Sequence, residues 1–146
     1  MRGKKLRDAQ YPDKADLRGW QSVKCLPQGR IAAGFVSAKP LINQQAGLLY
    51  LVSDLEIGPC DSGTLFLGYD GPIRAWVNGH EVFSGHGANP AVPDRTVVPV
   101  RFNHGRNRIA VALDTNGGRA CGIFARYDTA AETRERRRLH GHGASA

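Results

Sequence analysis

The sequence has few cysteines, fewer acidic than basic residues, and no Cys-x-x-Cys pair. It contains 146 residues, 3 of them cysteine, and its formal net charge is +7. The wide spacing of Cys25, Cys60 and Cys121 argues against a zinc knuckle or a thioredoxin-like site. An odd number of thiols leaves at least one unpaired in a monomer. Buried free thiols are the simpler interpretation, and spacing alone does not decide whether two of them form a disulfide.

Long hydrophobic runs are also missing. No apolar stretch reaches the 18 or so residues that a transmembrane helix needs. The basic start of the chain leads into Asp8, Gln10 and Asp13 rather than an apolar segment, so it does not have the pattern of a signal peptide. The sequence is therefore compatible with a cytoplasmic protein or with a piece of a larger exported protein, and its compartment stays open.

Much of the positive charge is concentrated at the two ends of the chain. The basic residues of these ends are Arg2, Lys4, Lys5, Arg7, Arg134, Arg136, Arg137 and Arg138. Blocks of like charge are usually solvated arms, so we interpret residues 1–15 as a flexible lead-in and residues 129–146 as a basic tail with a short helix. Nucleic acid is not the expected partner. The alternative to solvated ends is that one of them is an arm that binds polyanions or a membrane surface.

The clearest structural signal lies in residues 68–83. Ile73, Ala75 and Val77 alternate with Arg74 and Trp76, a period of two that is typical of a half-buried strand. The dipeptide Asn78-Gly79 follows, which favours a type I′ turn and a returning strand over 81–83.

Similar patterns recur along the chain, separated by turn residues. They predict strands over 31–36, 48–57, 64–68, 96–102, 108–114 and 120–127. Residues 25–30 and 84–95 are predicted to be loops, and Pro99 places its strand at a sheet edge or a bulge. With no strong helix pattern between these strands, the sequence predicts a single all-β domain over residues 16–128, an antiparallel β-sandwich of the jelly-roll type.

The order of several motifs resembles that of the galactose-binding-domain-like jelly-roll modules attached to glycoside hydrolases and sugar esterases. The shared motifs are Leu65-Phe66-Leu67-Gly68, Asp70-Gly71, the 73–79 strand and turn, Asp94, Val97-Val98-Pro99-Val100, Gly105-Arg106-Asn107, and Gly117-Gly118-Arg119 with the strand that follows. The chain departs from the pattern at Tyr69, where a second Asp is common, and at Cys121, where an aromatic residue is common. We interpret the Asp and Gly residues of the shared motifs as turn formers.

The resemblance implies a carbohydrate-binding accessory module, and a sugar site needs an aromatic face with fixed polar groups around it. The candidate ligand-binding residues are Trp76, Arg74, His86, Asn89, Arg95, Asn116 and Arg119. Loops at one end of a sandwich converge, so the loop residues are expected to gather there. Trp76 has two interpretations: an exposed platform for a sugar ring, or a side chain packed under a loop or at a sheet edge.

We expect no catalysis, because the sequence has no Gly-x-Ser-x-Gly elbow and no acid pair that is marked as a general acid. The expected partners are a carbohydrate and a parent enzyme or partner protein. The resemblance also leaves open a structural calcium ion, for which Asp8, Asp13 and Asp16 are the candidates; no other cofactor is expected. Two alternatives remain: a structural or docking domain that mediates protein–protein assembly, and a polyanion binder that uses its basic tails.

Overall fold

The computed structural model describes residues 6–12, 18, 20, 26–28, 32–37, 47–58, 62–87, 90–120 and 122–141. The three cysteines, Asn89, the calcium candidates Asp13 and Asp16, and the side chain of Asp8 lie outside what it describes.

Nine strands and one α-helix make up the described chain, together with two short 3-10 segments, Leu6–Asp8 and Asn116–Gly118. The strands and helix are β1 Leu26–Gln28, β2 Ala32–Ser37, β3 Leu48–Ile57, β4 Ser62–Tyr69, β5 Ile73–Val77, β6 His80–Gly85, β7 Thr96–Arg101, β8 Gly105–Asp114, β9 Gly122–Thr129 and α1 Ala130–Gly141.

These strands form two antiparallel sheets that pack face to face as a β-sandwich. The five-stranded sheet has the order β1-β2-β9-β4-β7, and the four-stranded sheet has the order β3-β8-β5-β6. The core lies between them because each central strand turns its apolar alternate residues inward. From the five-stranded sheet come Leu65, Leu67 and Ile123, and from the four-stranded sheet come Ile73 and Leu113, all at most 2% exposed. The predicted fold class, an antiparallel β-sandwich, is confirmed, whereas its jelly-roll connectivity stays a prediction.

The hairpin predicted in residues 73–83 is confirmed. Asn78 and Gly79 both have positive φ, 50° and 86°, as a type I′ turn requires. Ile73, Ala75 and Val77 face the core, and β5 pairs with β6 through a register shift between Ala75 and Trp76. The opposite face of β5 therefore carries Arg74 and Trp76, as the alternation predicts.

Two further strand predictions have clear outcomes. The strand predicted over residues 48–57 coincides with β3, and Pro99 lies in β7, an edge strand of its sheet. An edge position suits proline because its missing N–H would otherwise interrupt a ladder. The predicted loop over residues 25–30 is wrong in its centre, where Leu26–Gln28 forms β1 and pairs with β2. The proline within this tripeptide misled the prediction, and β1 is likewise an edge strand.

Helix α1 begins with a capping box. The Glu132 carboxylate accepts a hydrogen bond from the Thr129 backbone N–H at 2.7 Å, and the Thr129 hydroxyl accepts one from the Glu132 N–H at 3.2 Å. Leu139, near its end, is 65% exposed. None of the helices that the structure describes is long and apolar enough to cross a membrane.

Candidate binding groove

Trp76, the predicted aromatic platform, lies on the outer face of the four-stranded sheet but is only 4% exposed. Ala9 packs against the indole, and the ring of Tyr11 lies 6.5 Å from it between centroids. The Arg74 guanidinium stands 5.0 Å from the centre of the indole ring. A ring covered in this way has no face to offer a sugar, so packing under another segment is the interpretation that the structure supports.

The covering segment comprises residues 6–12, which we call the N-terminal strap. Arg74 Nη1 donates to the carbonyl oxygen of Ala9 at 3.0 Å, and Arg108 Nη1 donates to that of Pro12 at 2.6 Å. The Gln10 backbone N–H donates to the Tyr50 hydroxyl at 3.2 Å. Local sequence patterns do not predict these contacts, because the strap is more than 60 residues away from Trp76 along the chain.

The loop residues predicted for the site lie at one end of the sandwich. Ile73 pairs with both Gly85 and Leu113, so the loops after β6 and β8 leave the four-stranded sheet at the end where β5 begins. The chain enters β7 at this end too, since Thr96 pairs with Leu67 near the end of β4. This end carries four exposed candidates: His86, Arg95, Asn116 and Arg119. Arg74 and Trp76 are separate from them, on the outer sheet face.

A polar groove of about 650 Å³ lies towards the opposite end of the four-stranded sheet. The register of β3 against β8 places Asp54 opposite Arg108 and Glu56 opposite Arg106. We call this cavity the end groove; its lining is Tyr11, Asp54, Leu55, Glu56, Asn78, Arg106, Asn107 and Arg108. None of these residues was among the predicted site residues.

One ion pair fixes the side of the end groove that borders the strap. Arg108 donates to both carboxylate oxygens of Asp54, with distances of 2.7 and 2.9 Å. The hydrogen bond from Arg108 holds the pKa of Asp54 below its usual value, although partial burial opposes it. Asp54 therefore stays ionised at neutral pH, which suits a hydrogen-bond acceptor and makes it a poor proton donor.

Two asparagines support the floor of the end groove. Asn107, only 3% exposed, accepts at Oδ1 from Asn78 Nδ2 and from the Asn103 N–H, both at 2.7 Å. Its Nδ2 donates to the carbonyl oxygens of Asn103 at 2.8 Å and Gly105 at 2.9 Å. Asn78 Oδ1 in turn accepts from the Arg108 backbone N–H at 2.8 Å. Because these hydrogen bonds use both amides internally, the asparagines hold the shape of the groove, in agreement with the structural interpretation of Gly105-Arg106-Asn107.

The lining of the end groove is balanced in charge. Arg106 and Arg108 contribute two positive charges, and Asp54 and Glu56 contribute two negative ones. Glu56 and Arg106 are exposed, while the Tyr11 ring is half-buried beside them. A half-buried aromatic ring with both donors and acceptors near it can pack on an apolar face and hydrogen-bond to hydroxyl groups. Within the described part of the chain, no three His, Cys, Asp or Glu side chains gather as a metal site would require.

Comparisons with known proteins give little similarity. No protein-family model matches the sequence, and no curated protein matches it. Among the solved structures that match is the β-glucuronidase of Ruminococcus gnavus, at 14% sequence identity and a TM-score of 0.37. The match covers 49% of this chain and 13% of the enzyme's chain. A similarity of this extent identifies neither a family nor an activity for the chain.

Proposed function

We propose that the chain is a non-catalytic carbohydrate-binding module and that the glycan binds in the end groove, against the half-buried ring of Tyr11. The observation that carries this proposal is the lining of the groove, which combines an aromatic ring with hydrogen-bonding groups of both kinds. Sugar recognition needs that combination, because a sugar ring has an apolar C–H face and a rim of hydroxyls.

Preorganisation supports the same assignment. Arg108 and Asp54 hold each other in bidentate geometry, and the Asn78–Asn107 hydrogen bonds fix the turn beside them. A ligand that hydrogen-bonds to these groups therefore loses little free energy in ordering them. The balanced charge favours a neutral glycan over a polyanion, whose binding would require an excess of arginine or lysine.

The docking alternative has weaker support. It requires a contiguous apolar patch that is large for a monomer. In the described chain the exposed large apolar side chains belong to different parts of the fold: Trp20 before β1, Val92 in a loop, Val97 in β7, Tyr127 in β9 and Leu139 in α1. Scattered residues of this kind are ordinary surface composition.

The test is a panel of soluble and insoluble glycans, measured at low and high salt with two matched variants. Arg106→Ala removes an arginine from the end groove, and Arg119→Ala removes one from the loops at the other end of the sandwich. We expect Arg106→Ala to weaken binding about tenfold or more, as for a charged hydrogen bond, and Arg119→Ala to have no effect. Binding of a neutral glycan should also resist salt.

Other results would redirect or refute the proposal. An effect of Arg119→Ala without one of Arg106→Ala would move the site to the loops. Binding limited to acidic glycans, abolished by salt and unchanged by both variants, would assign it to the basic ends. A folded sample that binds no glycan would refute carbohydrate binding.

A further inference from the structure

The outer face of the four-stranded sheet has the shape of a trough along β8. Its floor is formed by Ala110 and Ala112 of β8, both 0% exposed. The neighbouring strands place larger side chains on either side, because Tyr50 pairs with Ala112 and Trp76 pairs with Ala110. Small residues on a central strand between aromatic residues on its neighbours leave room for another chain segment.

The N-terminal strap fills this trough without joining the sheet. The structure assigns no strand within residues 6–12, and Ala9 is the strap residue buried against Trp76. The strap's polar contacts there are made by side chains of the sheet: Arg74 and Arg108 donate to its main-chain carbonyls, and the Tyr50 hydroxyl accepts from its backbone. The sheet's own backbone ladder therefore does not depend on the strap.

Each arginine that contacts the strap is also paired with a carboxylate of the four-stranded sheet. Arg74 donates to the two carboxylate oxygens of Glu81 at 3.4 and 2.7 Å, and Arg108 is held in the same way by Asp54. The Glu81 hydrogen bond raises the pKa of Arg74 above its usual value. In both pairs Nη1 is the atom that reaches a carbonyl of the strap. The carboxylate holds one edge of each guanidinium and leaves Nη1 directed at a main-chain oxygen. This arrangement is preorganised for binding peptide.

From this geometry we propose that the trough is a peptide-binding cleft, filled in cis by the strap, and that the strap of a second copy of the chain can replace it. The ligand is recognised by its main-chain carbonyls and by a small side chain over the alanine floor, followed two positions later by an aromatic ring. A second copy supplies that segment, and exchange of an identical element between copies is a low-cost route to a dimer. This cleft borders the end groove, and Arg108 and the strap residue Tyr11 belong to both. Peptide binding in the cleft requires no glycan, so the proposal does not rest on glycan binding.

The test uses the full chain carrying Ala9→Asp, which places a carboxylate against the indole and expels the variant's own strap. The probe is a fluorescent peptide with the sequence of residues 6–12, and its anisotropy reports binding. A tethered strap competes at an effective concentration on the order of millimolar, so wild type should bind the probe at least tenfold more weakly than the variant. A probe carrying Ala9→Asp should not bind, and Arg138→Ala, on the helix surface, serves as the matched control.

A second arm tests exchange between copies. Ala9→Asp has an intact cleft and a defective strap, whereas Arg74→Ala has an intact strap and a defective cleft. We expect their mixture to form a heterodimer in size-exclusion chromatography that neither variant forms alone. Absence of that heterodimer would refute exchange between copies. Failure of the open cleft to bind the probe, or equal binding of both probes, would refute the cleft itself.

If Ala9→Asp does not fold, hydrogen exchange of the wild-type protein still tests whether the strap can leave the cleft. A displaceable strap opens locally, so the amides of residues 9–11 should exchange at least tenfold faster than the paired amides of β5 and β8. Exchange of both sets at the same rate, through global unfolding, would show that the strap is a fixed part of the core and would overturn the proposal.

Discussion

Replacing Asn107 tests the network that holds the end groove. Asn107→Ala removes four hydrogen bonds and leaves the Asn103 N–H, the Asn78 amide and two carbonyl oxygens without this partner. Each lost bond costs about 1 kcal/mol, and water can reach part of the exposed turn, so we expect a loss of about 3 kcal/mol. For a domain of this size that lowers Tm by roughly 6–12 °C.

Asn107→Asp is a sharper test of the same network, because aspartate has nearly the same size and shape as asparagine. The new carboxylate still accepts from Asn78 and from the Asn103 N–H, but its second oxygen meets the carbonyls of Asn103 and Gly105, to which Nδ2 donated. Three acceptors then repel one another in a buried site, so at pH 7 we expect the aspartate variant to be at least as unstable as the alanine variant.

The sign of the pH dependence follows from the same contacts. Burial and the two carbonyls raise the folded-state pKa of the new carboxyl, so it binds a proton more readily in the folded than in the unfolded chain. Stability should therefore increase as pH falls from 7 towards about 4, the unfolded pKa. The assay is thermal unfolding of Asn107→Asp, Asn107→Ala and wild type at pH 7 and pH 5. An aspartate variant as stable as wild type at pH 7, or one that gains nothing at pH 5 relative to the alanine variant, would refute this account of the groove.

Three further predictions concern Gly68, Asp54 and Glu132. At Gly68 a Cβ would collide with the backbone carbonyl of Val92, so Gly68→Ala should displace the 90–95 loop and cost about 1–3 kcal/mol in urea unfolding; an unchanged midpoint would contradict the close approach. Because the folded-state pKa of Asp54 is lowered, its bond to Arg108 stabilises the fold above about pH 4 and is lost as pH falls below it, so the Tm difference between wild type and Asp54→Asn should shrink there. The ion pair should contribute little to the free energy of unfolding, below about 1 kcal/mol, because the carboxylate is half exposed. Glu132→Ala should reduce the helical circular dichroism of α1 by removing the glutamate half of its capping box, whereas Glu132→Gln should retain most of it.

The parts of the fold that were predictable from sequence depend on local periodicity and turn chemistry. Alternation along residues 54–57 and 73–77 identified the buried faces of two strands, and Asn78-Gly79 identified the hairpin. The position of Pro99 at a sheet edge follows from its missing N–H. Each of these inferences needs only neighbouring residues, because side-chain direction in a strand repeats every two positions.

The candidate site was not predictable in the same way, because it is assembled by pairings between distant residues. Alternation placed Trp76 on the outer face but could not show what covers it, since Ala9 and Tyr11 come from the strap, more than 60 residues earlier in the chain. The pairing of Asp54 with Arg108 depends on a register between strands that are 54 residues apart. No local pattern marks the strap, because the predicted lead-in of residues 1–15 is polar and has no periodicity.

Arg108 connects the two proposed sites and therefore predicts their coupling. One guanidinium holds Asp54 in the end groove and the Pro12 carbonyl of the strap, and Tyr11 of the strap lines the groove. A glycan that packs on Tyr11 binds only while the strap is seated, so glycan binding should slow hydrogen exchange of the strap amides. Linkage makes this coupling reciprocal, so expelling the strap with Ala9→Asp should weaken glycan binding. If glycan binds Ala9→Asp and wild type equally while Arg106→Ala still weakens binding, the sugar lies in the groove but does not contact Tyr11.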